Sequence, residues 1–400
     1  MSQKGVGRKT GPIFYTYQMK PVKKRKPAWL SAVICLGIII LFFWYLAHVM
    51  GTANMLQTLM NTAHDLLLNT VFYLMGICVL MGAFSKILLE YGVVDLIGKM
   101  LRPLMKPVFN LPGRASLGAV MTFLSDNPAI IGLAKDRKFG SYFKKYQLIS
   151  LTNFGTAFGM GLIVIVFMVG QGFTWEPWVG FAGAIAGCIV STRLMQLFVL
   201  KAHPEYKYEN ACQAEPSVAE EASVEDTRSG FQRFLDALLD GGKSGVEIGL
   251  AIIPGVLLIS TIVMMLTFGA SADGVYTGGA YEGTAILPFL AGKIDFVFDF
   301  LFGFKDPHLV AFPITSLGAV GAAIGMIPSF MAQGWIDGNA IAVCTAIGMC
   351  WSGFLSTHTA MLDSLGYREL TPKAIAAHTV GGLVAGIVAH LVYLLVVAII

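Results

Sequence analysis

Seven stretches of this chain are each apolar over more than twenty residues: 29–50, 66–90, 146–170, 176–200, 245–268, 339–365 and 374–400. A helix needs about 20 such residues to cross the hydrocarbon core of a bilayer. Lipid offers no partner to an exposed peptide group, so a spanning segment has to satisfy its own backbone, which a helix does. The expectation is an all-α integral membrane protein. Composition agrees, with 56% apolar and 13% charged residues and a mean hydropathy of +0.69. A soluble domain has about 25% charged residues, and a water-soluble fold of this composition would expose large apolar areas. No basic patch is interleaved with aromatics in the way a nucleic-acid groove requires, so no nucleic-acid partner is expected. Five of the six cysteines (Cys35, Cys78, Cys188, Cys344 and Cys350, but not Cys212) lie in apolar segments, and no CxxC pair occurs. Neither a disulfide framework nor a zinc site is expected. No Walker loop, catalytic triad or zinc motif is present, so neither an enzyme nor a resident cofactor is expected.

Charge sets the organisation. Residues 1–28 end in Lys23, Lys24, Arg25 and Lys26 and precede a full-length span. They read as a cytoplasmic basic tail followed by a signal anchor, with the N-terminus in the cytoplasm of a bacterial inner membrane. Residues 29–65 read as the anchor helix and an external loop. Residues 66–200 and 241–400 form two comparable units. Residues 201–240, with Glu215, Glu220, Glu221, Glu225 and Asp226, form a polar cytoplasmic linker between them.

Two further apolar stretches, 115–134 and 308–334, each carry a proline near the middle, Pro128 and Pro328. The first is flanked by Arg102, Lys106 and Arg114 on one side and by Lys135, Arg137, Lys138, Lys144 and Lys145 on the other. Basic flanks at both ends put both on the cytoplasmic face. The stretch must enter and leave on that face, with limbs of about ten residues, roughly 15 Å of helix. It reads as a re-entrant hairpin with its tip at Ser125-Asp126-Asn127-Pro128. The second stretch reads as a hairpin from the opposite face, tip at Gly325 to Ser329. Each is preceded by an amphipathic stretch, 91–111 and 284–304, expected to lie in the interface. Ser116-Leu117-Gly118-Ala119-Val120 recurs 200 residues on as Ser316-Leu317-Gly318-Ala319-Val320, and the same offset carries Pro128 onto Pro328. Each half therefore reads amphipathic helix, hairpin, span, span, and the charge count inverts the second half. Inverted repeats with broken elements meeting at the midplane are a mark of secondary transporters.

Irregular backbone at membrane depth is tolerated where protein or a water-filled cavity satisfies it, so the broken elements hold the candidate substrate-binding residues. The first tip offers Ser125, Asp126 and Asn127; a structural role competes, because Asn127 can cap a half-helix that starts at Pro128. The second tip offers backbone groups and Ser329. Span 146–170 carries Asn153 and Thr156 beside Gly155, a pattern that fits either local unwinding or hydrogen bonding between helices. Span 339–365 carries Ser352, then Ser356, Thr357 and His358. This polar cluster faces either a substrate or a packed seam of small residues, and His358 can titrate.

The order of elements, the two SLGAV sequences, the Ser-Asp-Asn-Pro tip and the Gly-rich spans together resemble the Gate-domain, or nucleoside-recognition, membrane family, most closely its bacterial YjiH-like members, over roughly residues 66–400. The arrangement is also similar to concentrative nucleoside transporters and to the permease part of ferrous-iron transport proteins. The resemblance implies a substrate site between two hairpin tips and two broken helices. It also implies coupling to Na+ or H+, an elevator-like movement and a homo-oligomer. The function expected is ion-coupled transport of a small polar metabolite, nucleoside-like by family. The alternatives are a Gate-fold scaffold or partner subunit that does not transport, and a ferrous-iron permease.

Overall fold

A computed structural model describes residues 28–212 and 228–399. The basic run Lys23–Lys26 and the acidic run from Glu215 to Asp226 lie outside the described residues. Of the described residues 79% are helical, and no strand occurs among them. Among the described residues, seven helical segments are long and apolar enough to cross a membrane. They are α1 (Ala28–Met50), α2 (Thr52–Glu90), the broken pair α6 (Lys145–Thr156) and α7 (Gly161–Gly170), α8 (Glu176–Ala202), α9 (Gly230–Thr267), the broken pair α15 (Gly338–Cys350) and α16 (Phe354–Ser364), and α17 (Thr371–Ile399). Between them come the amphipathic α3 (Val93–Leu104), the hairpin limbs α4 (Ala115–Leu124) and α5 (Pro128–Lys135), the short α10 (Ile286–Ala291) and α11 (Asp295–Phe302), and a second re-entrant region of α12 (Ala311–Ser316), α13 (Val320–Ile324) and α14 (Ile327–Ala332).

Two boundaries differ from the sequence expectation. Residues 52–65, expected in an external loop, are helical and continue into the span. The resulting segment of 39 residues is about 58 Å long against a core of about 30 Å, so it projects beyond the lipid. The projecting turns are held by the loop after α9: Asn54 donates to the Tyr276 carbonyl at 2.9 Å, Asn61 donates to that of Gly278 at 2.8 Å, and the Tyr281 N–H donates to Thr62 Oγ1 at 2.9 Å. The polar linker likewise ends eleven residues early, because α9 begins at Gly230. Ser229 and Gln232 form a reciprocal capping box there, the Gln232 N–H donating to Ser229 Oγ and the Ser229 N–H to Gln232 Oε1, which satisfies two of the free donors at a helix start.

Helices α2 and α9 pack antiparallel as a long pair. Glycines set the spacing: a Cβ on Gly82 would sit 2.5 Å from the Gly241 carbonyl oxygen, and one on Gly245 would overlap that of Cys78. Each of the two helices widens into a π-helical turn, Leu66–Val71 and Gly255–Ser260, and the two turns touch. Pro254 explains the second, because it removes the donor that the regular ladder needs there. A second antiparallel pair, α8 with α17, closes on Gly183 and Gly187 against Ala385 and Gly381.

The two broken spans are the most buried. In Lys145–Gly170 and Gly338–Ser364, 78% and 83% of the most apolar window lies inside the protein, against 6% for Trp29–Met50 and 22% for Arg368–Ile399. Breaks free backbone groups, and these are tolerated where protein surrounds them. Three spans (α6–α7, α8 and α9) separate the first hairpin from the second. An odd number of crossings puts the two re-entrant regions on opposite faces, so the repeats are inverted. Their register is not the one the pentapeptide gives. Spans α6 and α15 begin at Lys145 and Gly338, 193 residues apart, and the hairpin breaks fall at 125–127 and 317–319, 192 apart. Ser116–Val120 therefore opens the first limb of hairpin one, whereas Ser316–Val320 lies at the break of the second. Pro128 begins a limb at the first break, whereas Pro328 lies in α14, beyond the second.

Candidate functional site

Four chain breaks converge on one cavity of about 270 Å3. The first hairpin contributes its tip, Asp126 and Asn127. The break between α6 and α7 contributes Met160, and the second re-entrant region contributes Gly318 to Gly321. The break between α15 and α16 contributes Ser352 and Gly353, with Ser356 and Thr357 on the first turn beyond. Ile248, Ala251 and Ile252 of α9 form the facing apolar wall. A hollow of about 300 Å3 over α11, lined by Asp295, Asp299 and Asp306, is similar in size. No helix break enters it, and its Lys305–Asp299 ion pair is exposed.

Hydrogen bonds fix the geometry. Asn127 is buried and donates from Nδ2 to the Ser352 carbonyl at 2.5 Å and to Thr357 Oγ1 at 3.3 Å. A carbonyl only accepts, so the amide orientation is set and Oδ1 is left as an acceptor. That oxygen has no partner, and neither has the buried Oδ1 of Asp126. Ser356 Oγ and Thr357 Oγ1 both donate to the Gly353 carbonyl, at 2.9 and 3.2 Å. Gly353 has φ +58°, and Met160 has φ +55°. The left-handed region is open to glycine and costs a larger residue roughly 1–3 kcal/mol, a strain that collects at functional sites. Gly159 admits the tip, since a Cβ there would overlap Asn127 Oδ1.

Of the residues singled out from sequence, Asp126, Asn127, Ser352, Ser356 and Thr357 meet at the cavity; the others do not. Ser125 Oγ donates back to the Met121 carbonyl at 2.6 Å and lines a separate hollow beside Ser85. Asn153 donates to Ser191 Oγ at 3.0 Å and to the Ala374 carbonyl at 2.9 Å, the interhelical alternative. Thr156 Oγ1 donates within its own helix to Thr152. The helix unwinds after Thr156, at 157–160, rather than around Asn153. Ser329 lies on α14, away from the cavity. The break that reaches the cavity is at 317–319, where Ala319 is extended (φ −163°), not at Gly325–Ser329.

His358 is fully buried, with its ring 5.6 Å from Phe354 and 4.6 Å from His378 between centroids, and it does not line the cavity. His378 Nε2 lies 2.5 Å from the Cys350 carbonyl and must donate to it, which makes Nδ1 the acceptor from Ser191 Oγ at 2.8 Å. Asn153, Ser191 and His378 thus form a directed chain that ends on a carbonyl freed by the α15 break. Sequence reasoning does not find Met160, the Gly318–Gly321 backbone or the α9 wall. None carries a polar side chain. The SLGAV repeat marks 318–320, but as the entrance of a hairpin rather than its break.

Residues 71–172 match the family model described as Gate, nucleoside recognition. The matched segment contains the first hairpin and the α6–α7 break. Over 230 residues the chain is 28% identical to an uncharacterised protein of Alkalihalophilus pseudofirmus. That alignment takes in 52% of this chain and 46% of the relative, so the chain matches less than half of the relative's length. Among solved structures, a double variant of CNTnw in an outward-facing state is similar over 91% of this chain and 85% of its own, with a TM-score of 0.53 and 14% identity. CNTnw in an inward-facing substrate-bound state is similar over 91% and 84%, with a TM-score of 0.51 and 15% identity. The class is therefore a multi-pass, all-helical membrane protein with a CNT-like fold. Within it, the first repeat of this chain carries a segment that matches the Gate model.

Proposed function

We propose that this protein is a secondary transporter that moves a small polar, nucleoside-like solute across a bacterial inner membrane by alternating access, coupled to Na+ or H+. The observation that carries the reading is the convergence of four helix breaks on a single cavity at the junction of two inverted repeats. Breaks at membrane depth disrupt the backbone ladder, and secondary transporters use such breaks to build solute and ion sites. The cavity is close to the lower end of the range for small-molecule sites, about 300–1,000 Å3. Its apolar wall on α9 and its polar groups at Asp126, Asn127 and Thr357 suit a solute with one flat apolar side and one hydrogen-bonding edge. The hairpins and broken spans would move against α2 and α9. The basic run Lys23–Lys26 supports a cytoplasmic N-terminus, and a homo-oligomer is in keeping with the architecture.

The test is uptake of labelled uridine and adenosine into proteoliposomes with an imposed Na+ or H+ gradient. The expected result is gradient-dependent accumulation that falls at least tenfold in Asn127→Leu, which removes the bonds that tie the hairpin tip to α16. Equal accumulation by Asn127→Leu and the parent would sink the reading.

A further inference from the structure

We infer that the solute taken by this cavity bears a protonated amine. The inference rests on the transport reading and narrows its substrate class. It comes from the side-chain donors and acceptors around the cavity. Among the residues that line it, Asp126 is the only ionisable one, and no Lys, Arg or His is present. Both hydrogens of the Asn127 amide are spent, on Ser352 and on Thr357. The Ser356 and Thr357 hydroxyl hydrogens are spent on the Gly353 carbonyl. Among the side chains, what remains is a set of acceptors: Asp126 Oδ1 and Asn127 Oδ1, both buried and without a partner, and the lone pairs of the two hydroxyls. The Ser352 hydroxyl is the one side-chain donor with no commitment to another residue.

Two unpartnered acceptor oxygens on adjacent residues, one of them ionisable, are unfavourable at membrane depth until a donor arrives. A buried carboxylate in particular gains most from a cation that brings hydrogen bonds with it. An ammonium group has three donors and no acceptor, which complements this set. A hydroxyl has one donor, and its own lone pairs would meet further lone pairs. The rest of the solute would lie on the apolar wall of Ile248, Ala251 and Ile252. A free inorganic cation shares the charge but would leave that wall uncovered.

Two matched pairs of probes test this with the full-length protein in detergent at pH 7: tyramine against tyrosol, and 5′-amino-5′-deoxyuridine against uridine. In each pair an amine replaces a hydroxyl of nearly equal size. Binding is read by thermal shift and by titration calorimetry, in NaCl and in KCl. The amine member is expected to bind at least tenfold more tightly in both pairs, in either salt. Asp126→Asn is expected to erase the preference and Asp126→Glu to keep it, which separates loss of charge from misfolding. Equal or tighter binding of the hydroxyl members overturns the amine assignment, as does stabilisation by Na+ alone with no response to either amine. In both cases uptake of uridine into proteoliposomes would leave the transport reading standing. A protein that binds the amines with the expected preference but moves no solute would instead keep the site and remove the transport.

Discussion

Asn127 and Gly159 form the contact on which the first hairpin depends. The tip can approach the α6–α7 break because residue 159 lacks a side chain; a methyl group there would overlap Asn127 Oδ1. Gly159→Ala is therefore expected to destabilise the protein by about 1–3 kcal/mol, the usual effect of overpacking, and to displace the Asn127 bonds to Ser352 and Thr357. Gly132, in the middle of α5, has open space where a methyl group would stand, with no atom within 4 Å. Gly132→Ala should be neutral or stabilising by up to about 1 kcal/mol through helix propensity. Thermal unfolding in detergent checks the pair, and a Gly159→Ala protein as stable as Gly132→Ala would contradict this packing. The sequence marks one side of the contact only. An Asp-Asn-Pro run at the centre of an apolar stretch is conspicuous because polar groups are costly there. Gly159 is one of 45 glycines, and nothing local distinguishes it from one that serves helix packing. Asn153 misleads for the same reason: a polar residue in a span announces that it needs a partner, and here the partner is a neighbouring helix.

Each re-entrant element is tied to the long α2–α9 pair by one serine. Ser85 of α2 donates to the Leu124 carbonyl at 2.8 Å, at the end of α4. Ser260, in the widened turn of α9, donates to the Ala322 carbonyl in α13 at 2.9 Å. The remaining contacts there are small or apolar, such as Gly255 against Ala319 and Gly321 against Ile252. Any movement of the hairpins past α2 and α9 has to break these two bonds. Ser85→Ala and Ser260→Ala should each weaken the present arrangement by about 1–3 kcal/mol, since each leaves a carbonyl without its partner. The two contacts lie on different hairpins, so their effects should add in the double variant. Thermal unfolding and initial uptake rates check this, and a double variant identical to the parent in both would show that the bonds do not hold the state. Helix existence is legible in the sequence from apolar length, whereas helix ends are less so. The Ser229–Gln232 capping box is present to be read, but the polar composition of the segment before it outweighs a four-residue signal. The extension of α2 over 52–65 is illegible for a different reason. Those turns are too polar to span and are held by the loop at 276–281, more than 200 residues away.

For the molecule as a whole, the inversion of the halves rests on two independent arguments that agree. In the sequence, Lys and Arg crowd the loops around the first hairpin, whereas Asp273, Glu282, Asp295, Asp299 and Asp306 outnumber Lys293 and Lys305 around the second. In the structure, three crossings separate the two re-entrant regions. The pentapeptide repeat supports the right architecture in the wrong register. Small residues suit both a limb entrance and a break, so the same five letters serve different turns in the two halves. Charge and topology together predict how two exposed lysine positions label. Lys138, after the first hairpin, and Lys305, before the second region, are both exposed. Lys138→Cys and Lys305→Cys, each in a background with Cys35 and Cys212 replaced by Ser, should react with a membrane-impermeant maleimide from opposite sides. Charge adds the direction: Lys305→Cys should label in intact spheroplasts, and Lys138→Cys after permeabilisation. Labelling of both from one side would break the parity of the spans and with it the shared cavity. The reverse assignment would keep the cavity and overturn the orientation drawn from charge.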